Sequence, residues 1–411
     1  MSTEILFLSH RIPFPPNRGD KIRSHHILRR LARMAPVHVG CFADDHADLA
    51  EEVELASLSH SYRLVRRSKP LVLAGFQALK QGKPISLTAF RDESMARYVR
   101  EMLASGRIGT IYVFSGQMGQ YVPDDFAGRV IMDFVDVDSA KFDAYAAKSR
   151  GPMGWVHGRE GRLLAAEEAR LALRADCNLL ISRAEADLFA QRLGGAAQRA
   201  RIEVLGNGID SEYFDPLQVG PQCEMAAVPG PRLIFTGQMD YQPNVAAVIR
   251  VARQILPQVR HRHPDASFHI VGRNPTDAVK ALSHVPGVHV WGRVDDIRPW
   301  LKAADMALVP LDIARGVQNK VLEAMAMELP VVLTSAAANG INAVAGHHFA
   351  VADSDEGLVG LVNGLADRPQ AGKAMGIDAR RLVVERASWQ STLAPLADML
   401  SAPVRKWRDA A

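Results

Sequence analysis

Cysteine is scarce: Cys41, Cys177 and Cys223 are the only three in 411 residues, and they form neither a CxxC pair nor an even set. That excludes a disulfide framework and a cysteine zinc site, and it suits a reducing compartment. Long apolar runs are missing as well. No stretch reaches the roughly 18 apolar residues of a membrane-spanning helix. The N-terminus, MSTEILFLSH, has an acid where a secretory signal carries a base. It therefore reads as a first strand, and the expected location is the cytoplasm. Aromatic residues amount to 6%, and none is laddered through the one dense basic cluster, Arg63, Arg66, Arg67 and Lys69. A nucleic-acid surface is excluded on that ground. GxSxG, HExxH and a GxGxxG after the first strand do not occur, which argues against an α/β-hydrolase, a zinc protease and a dinucleotide oxidoreductase.

What is present is ordinary globular composition, 48% hydrophobic and 23% charged, in a chain too long for one core. Two domains follow from that length. The net charge of +4 is uneven. Residues 1–201 hold 29 Lys and Arg against 23 acids, whereas the remainder hold 20 against 22. The basic excess reads either as a solvated face or as a patch for anionic lipid headgroups.

Short apolar runs alternate with amphipathic stretches, the pattern of parallel sheets covered by helices on both faces. The expected strands in the first half are Ile5–Ser9, Val37–Phe42, Tyr62–Val65, Thr110–Phe114, Val130–Phe134 and Cys177–Ile181. In the second half they are Leu233–Thr236, Ser267–Val271, Val288–Trp291, Met306–Pro310, Val331–Thr334 and Phe349–Val351. Helical patterns include Lys21–Met34, Ser94–Ala104, Val156–Arg174 and Ala184–Leu193. The segment from Pro216 to Pro231 is rich in Pro and Gly and aperiodic, so it reads as a linker. The fold class is α/β, with two doubly wound Rossmann-like domains facing each other across a cleft. The divisions are 1–205, a hinge at 206–231, a second domain at 232–385 and a C-terminal helix at 386–411. Open sheets of this kind bind ligands beyond their strand C-termini.

The segment from Val288 to Ile341 carries the most chemistry. After the strand Met306–Pro310 comes a loop with Gly316, then a helix expected from about Gln318 to the pre-proline Leu329. A glycine at a helix mouth lets an anion reach free backbone N–H groups at the positive end of the dipole. Lys320 sits in the first turn, where a cation opposes that dipole, so a ligand phosphate explains it. Glu323 lies three residues on, on the same face, where a carboxylate accepts the hydroxyls of a ribose. Its apolar neighbours Leu322, Ala324, Met325 and Ala326 place it at a buried edge, and a buried carboxylate needs a partner.

This segment resembles the donor-binding half of GT-B glycosyltransferases of family 4. The likeness runs on through Phe235–Asn244 (FTGQMDYQPN), Ile270–Pro275, Trp291–Asp296 and Asn207–Asp210 with Phe214 and Pro216, in the family's order. Within the first half, the loop Ser9–Arg23 with its PFPPNRGD run resembles the cleft-facing loop after the first strand of the same enzymes, and Ser182–Phe189 resembles their strand-to-helix step before the hinge. The combination of the PFPPNRGD run, the stretch from Asp133 to Ser139 and the run Arg315–Lys320 is most like the sugar transferases associated with PEP-CTERM/exosortase exopolysaccharide systems. The resemblance implies a retaining, metal-independent hexosyl transfer from a nucleotide diphosphate sugar to a lipid-linked or oligosaccharide acceptor. No cofactor is implied, nor any nucleic-acid partner, and peripheral contact with the inner face of the cytoplasmic membrane is a further expectation. Trp389 falls in a C-terminal stretch that crosses back onto the first domain in relatives.

Residue by residue, Arg315 and Lys320 are the expected catalytic pair, neutralising the diphosphate. Gly237, Gln238, Arg273, Arg293, Gly316, Asn319 and Glu323 are the expected donor-binding set, and Arg18, Gly19, Asp20, Arg23 and Asp136 the acceptor side. Two departures from the family stand out. Position 315, where the family carries a second glutamate, is Arg, and the loop Gly237–Asn244 lacks the usual Arg and Lys. Asp136 and Asp138 spell a DxD that can hold a metal, or else a strand end running into a helix with Asp138 as its cap. Asp133 or Asp136 is alternatively a polar wall facing the acceptor. The phosphate features already placed in the second half leave no metal assigned. Two other functions share the pattern: a non-hydrolysing nucleotide-sugar epimerase and a non-catalytic nucleotide-sugar-binding subunit.

Overall fold

Strands covered on both faces cannot alternate polar with apolar residues, and the apolar runs of this chain fold as such strands. The computed structural model describes residues 4–314 and 317–402. They divide into two units, one holding the described residues up to Asn207 together with those from Leu393 on, the other Gly208–Thr392.

In the first unit β1 (Glu4–Ser9), β2 (Val37–Ala43), β3 (Ser61–Arg66), β4 (Ile108–Phe114), β5 (Arg129–Val135), β6 (Cys177–Leu180) and β7 (Ile202–Val204) form one parallel sheet in the order β3-β2-β1-β4-β5-β6-β7. β1 pairs with β2 in the register Ile5↔Val37 and with β4 in the register Ile5↔Thr110. Side chains alternate between the two faces. Leu6, Leu8, Ile111, Val113 and Met132 share one core cluster, while Phe7 stacks on Tyr112, ring centroids 5.6 Å apart. The long helix Pro152–Arg174 contributes two buried carboxylates to neighbouring helix starts. Glu160 accepts from the backbone N–H of Ile85 and Ser86 at 2.8 and 2.7 Å, and Glu168 from that of Ser139 at 2.9 Å. Each places negative charge where a helix N-terminus leaves donors unsatisfied.

In the second unit β8 (Arg232–Thr236), β9 (Ser267–Val271), β10 (Val288–Gly292), β11 (Met306–Val309), β12 (Val331–Leu333) and β13 (Ala350–Val351) form a parallel sheet in the order β10-β9-β8-β11-β12-β13. The twelve expected strands are all present, with ends shifted by two residues at most; β7 was not expected. Among the described residues no helix is long and apolar enough to cross a membrane.

The segment expected as a linker is instead part of the second unit. Met225, on a short helix Cys223–Ala226, is fully buried in that unit's core, and Gln222 N donates to Pro299 O at 2.9 Å. Its Pro and Gly residues break periodicity without freeing the chain. Ile209 and Ser388 pair as a bridge, Ile209 N donating to Ala387 O and Trp389 N to Ile209 O. Trp389 therefore belongs with the second unit, and the residues packed with the first begin at Leu393. There Arg129 Nη1 donates to Leu400 O.

Candidate functional site

Strand order in the second sheet reverses at β8, with β9 and β10 to one side and β11 to β13 to the other. The loops after β8 and β11 diverge there, leaving the crevice in which open α/β sheets hold ligands. Two glycines shape it. Gly237, at φ +149°, lies so close to its neighbours that a Cβ would stand 2.9 Å from Asn244 Nδ2 and 3.3 Å from Lys320 Cε. A Cβ on Gly272, just past β9, would stand 1.7 Å from Gly237 O. Only glycine allows both approaches.

The helix after β11 spans Asn319–Ala326 and buries Val321, Leu322, Ala324, Met325 and Ala326. It is shorter than the expected run to Leu329. The last turn closes on Glu328, left-handed at φ +58°, so that Leu329 N returns to Ala324 O at 3.0 Å before Pro330.

On this helix Lys320 donates from Nζ to Asn244 Oδ1 at 2.6 Å, and its ammonium lies 4.7 Å from the centroid of the Phe235 ring. The orientation of the Asn244 amide follows from its other bond, Nδ2 to Gln238 O at 2.9 Å, which turns the oxygen toward the lysine. Asn244 is only 4% exposed, so this contact is sheltered from water. Burial lowers the Lys320 ammonium to about 8, with the charge of Glu323 opposing. Burial likewise raises Glu323 to about 7, with Lys320 opposing. None of the described residues donates a hydrogen bond to the Glu323 carboxylate. An ammonium with two further hydrogens to give suits a phosphate, and a half-buried carboxylate with no donor among the described residues suits hydroxyl groups.

Lys320 and Glu323 thus lie together as the spacing requires. Gln238 and Arg273 also meet, Arg273 Nη2 donating to Gln238 Oε1 at 3.1 Å, both exposed just past the ends of β8 and β9. Arg293 is exposed just after β10, and Asn319 is exposed at the helix start. Arg315 and Gly316 lie outside the described residues. Asn244 and Phe235 stood inside a motif without a role. The only signal for Asn244 was a polar residue among Val245, Ala247 and Val248 on an apolar helix face.

The first sheet reverses between β1 and β4; of the expected acceptor residues, Arg18, Gly19, Asp20 and Arg23 follow β1 and Asp136 follows β5. Asp20 accepts from Arg11 Nη1 at 2.6 Å and from Arg18 Nε at 2.9 Å, with His10 Nε2 at 3.4 Å. Burial pushes the Asp20 carboxyl up, but bonds from His10 and Arg11 outweigh it and hold the group well below its usual range. Arg11 continues to Asp44 at 2.7 Å, and Asp44 to Arg67 at 2.8 Å, so one chain of alternating charge links the ends of β1, β2 and β3. Gly19 is the first residue of the helix Gly19–Ala32, and a Cβ there would meet nothing within 4 Å.

Arg23 requires a correction. It is 1% exposed and points inward, where its guanidinium clasps both oxygens of Asp133 at 3.1 Å and donates to Gly206 O and Asn207 Oδ1 at 3.0 Å. Asp133 is fully buried and also accepts from Tyr112 Oη at 2.9 Å, so neither residue forms a wall open to an acceptor. Asp136 stays at the surface, and with Asp138 it holds the Lys141 ammonium at 2.5 and 3.2 Å. Asp138 opens the helix Asp138–Lys148, for which Val137 is the cap. Ser115, just past β4, and Val135, the last residue of β5, have left-handed φ of +80° and +71°; for a β-branched valine this is strained backbone at the ligand edge of the sheet.

Residues 230–367 match the family model described as Glycosyl transferases group 1. Across 94% of this chain and 96% of the relative, the sequence is 26% identical to the GDP-mannose-dependent alpha-(1-6)-phosphatidylinositol monomannoside mannosyltransferase of Mycolicibacterium smegmatis. Among solved structures, HepE of Anabaena in complex with UDP and glucose is similar at a TM-score of 0.63 and 16% identity, covering 98% of this chain and 100% of that one. The sucrose-phosphate synthase of Thermosynechococcus elongatus is similar at a TM-score of 0.62 and 14% identity, covering 97% and 98%. The likeness to these two solved structures shows a shared fold, built in this chain of two parallel sheets of seven and six strands.

Proposed function

Because the chain is a glycosyltransferase of the GT-B type, with a group 1 domain at residues 230–367, we propose that it moves a hexosyl group from a nucleoside diphosphate sugar to a glycan carried on a lipid. The product would be exopolysaccharide or another cell-surface polysaccharide, of the kind made by PEP-CTERM/exosortase systems, and the reaction would take place at the cytoplasmic side of the membrane. The observation that carries the donor reading is the Lys320–Asn244 contact at 2.6 Å, beside a Glu323 carboxylate that no described residue satisfies. The named substrates of the mycobacterial mannosyltransferase, GDP-mannose and a phosphatidylinositol mannoside, support a lipid-borne acceptor. UDP in the Anabaena structure supports a uridine donor as the second choice to test.

The diphosphate gains charge as the sugar acquires oxocarbenium character, and catalysis requires that charge to be met in place. Lys320, held by Asn244 and backed by Phe235, is pre-positioned to do so, with Arg315 and Gly316 as further members of the proposed phosphate site. Gln238, Arg273, Arg293 and Asn319 would line the donor pocket, and Glu323 would hold the ribose. Arg18, Gly19, Asp20 and Asp136 would meet the acceptor. The anomeric configuration is retained in this proposal, and no divalent metal takes part; Asp136 and Asp138 already hold Lys141.

The test is release of nucleoside diphosphate from GDP-mannose and UDP-glucose, with and without a lipid-linked glycan and in excess chelator. Acceptor-dependent release that survives the chelator is expected. Interconversion of the sugar without acceptor would establish an epimerase instead, and Mn²⁺ rescue after chelation would restore the metal role of Asp136 and Asp138.

A further inference from the structure

The helix Leu71–Gln81 in the first unit is packed inside out. Ala74 and Ala78 are buried, whereas Leu71, Val72, Leu73, Phe76 and Leu79 are exposed, Val72 at 71% and Phe76 at 68%. The alanine face is bound to the helix Pro152–Arg174, from which Arg159 Nη2 donates to Ala78 O at 2.9 Å. The start of that second helix adds Met153 and Trp155, exposed at 55% and 58%. Val72, Phe76, Leu79, Ile85 and Trp155 line one shallow groove of about 210 Å³ between the two helices. A soluble surface seldom gathers so many large apolar side chains side by side unless something covers them.

Charge indicates what covers them. Between Glu54 and Asp92 there is no acidic residue and there are seven Lys and Arg. Between Asp143 and Glu160 there is again no acid, with Lys148, Arg150 and Arg159 present, and the Glu160 carboxylate turns inward to Ile85 and Ser86. Lys80, Lys83, Lys148 and Arg150 are exposed, and among the described residues none of them is in an ion pair. An apolar face flanked by unpaired cations matches a bilayer surface with anionic headgroups, where the side chains enter the acyl boundary and the cations meet lipid phosphate. A second copy of the chain fits poorly, since a two-fold contact would set this cationic face against itself.

We propose that the helix Leu71–Gln81 and the start of the helix Pro152–Arg174 form a docking surface for an anionic membrane. The inference deepens the lipid-linked acceptor reading and rests on that reading for its purpose, although docking can be measured without any transfer. The experiment is co-sedimentation of the full chain with vesicles of phosphatidylcholine alone and of phosphatidylcholine with phosphatidylglycerol. Binding is expected only to the anionic vesicles. Phe76→Glu with Leu73→Glu should weaken it about tenfold or more, and Lys80→Glu with Lys83→Glu should remove the anionic preference. Both pairs are at the surface, so donor turnover on a soluble oligosaccharide acceptor should stay at the wild-type level in each, which separates a failure of docking from a failure of the transferase reading. Absence of binding to anionic vesicles would overturn the proposal. So would wild-type binding by the glutamate variants, or a dimer in sedimentation that Phe76→Glu dissolves while vesicles remain unbound.

Discussion

Lys320 Nζ stands 2.6 Å from Asn244 Oδ1, joining the helix after β11 to the start of the helix Gln242–Arg250 that follows β8, across 76 positions of sequence. The contact fixes a cation at the reversal point of the sheet and leaves its remaining hydrogens for a ligand. Lys320→Ala should lower kcat/KM by about 10²–10³, the usual loss when a charged donor to a transition-state anion is removed. Asn244→Ala should cost less, about tenfold in donor KM, since it releases the lysine without removing it. Steady-state kinetics of the two variants check the ranking.

The pH dependence of donor affinity follows from the same pair. Lys320 must be charged to hold diphosphate, so binding should weaken as pH rises through about 8. Glu323 accepts hydroxyl donors best when ionised, so binding should also weaken as pH falls through about 7. Titration calorimetry across this range should give a maximum between the two. Glu323→Gln should remove the acid limb and keep the alkaline one.

Arg23 and Asp133 predict an effect on stability. Removing one partner of a buried ion pair strands the other, at a cost of about 3–5 kcal/mol. Arg23→Ala should therefore lower the urea-unfolding free energy of the first unit by about that amount, whereas Arg18→Ala, on a half-exposed side chain, should change it by less than about 1 kcal/mol.

A pair of glycines separates packing from function. Gly272→Ala forces a Cβ to within 1.7 Å of Gly237 O, and overpacking of this kind costs about 1–3 kcal/mol; donor affinity should fall with it. Gly19→Ala meets nothing within 4 Å, so its melting temperature should match wild type. Loss of acceptor turnover at unchanged melting temperature would place the acceptor against that backbone, and unchanged turnover would remove Gly19 from the acceptor side.

Much of this was legible in the sequence because parallel strands buried on both faces appear as continuous apolar runs. β7 escaped because its three residues, Ile202–Val204, include a glutamate and are not fully buried. The Lys320 and Glu323 placement was readable from helix geometry alone, three residues being nearly one turn. Partners from distant elements were not: Asn244 reaches Lys320 across 76 positions, and Asp133 reaches Arg23 across 110, distances over which no periodicity carries information. The segment before Pro231 misled for a different reason. Proline and glycine disrupt periodic patterns equally in a free linker and in a strap fixed by Met225 and Gln222.

The central claim, a nucleoside diphosphate sugar held by Lys320 and Glu323, is most directly tested by calorimetric titration of the wild-type chain, Lys320→Ala and Glu323→Ala with GDP-mannose and UDP-glucose. Saturable binding of one donor by wild type, lost in Lys320→Ala and weakened at least about tenfold in Glu323→Ala, is the predicted result. Binding of neither donor by wild type, or equal binding by all three proteins, would contradict it.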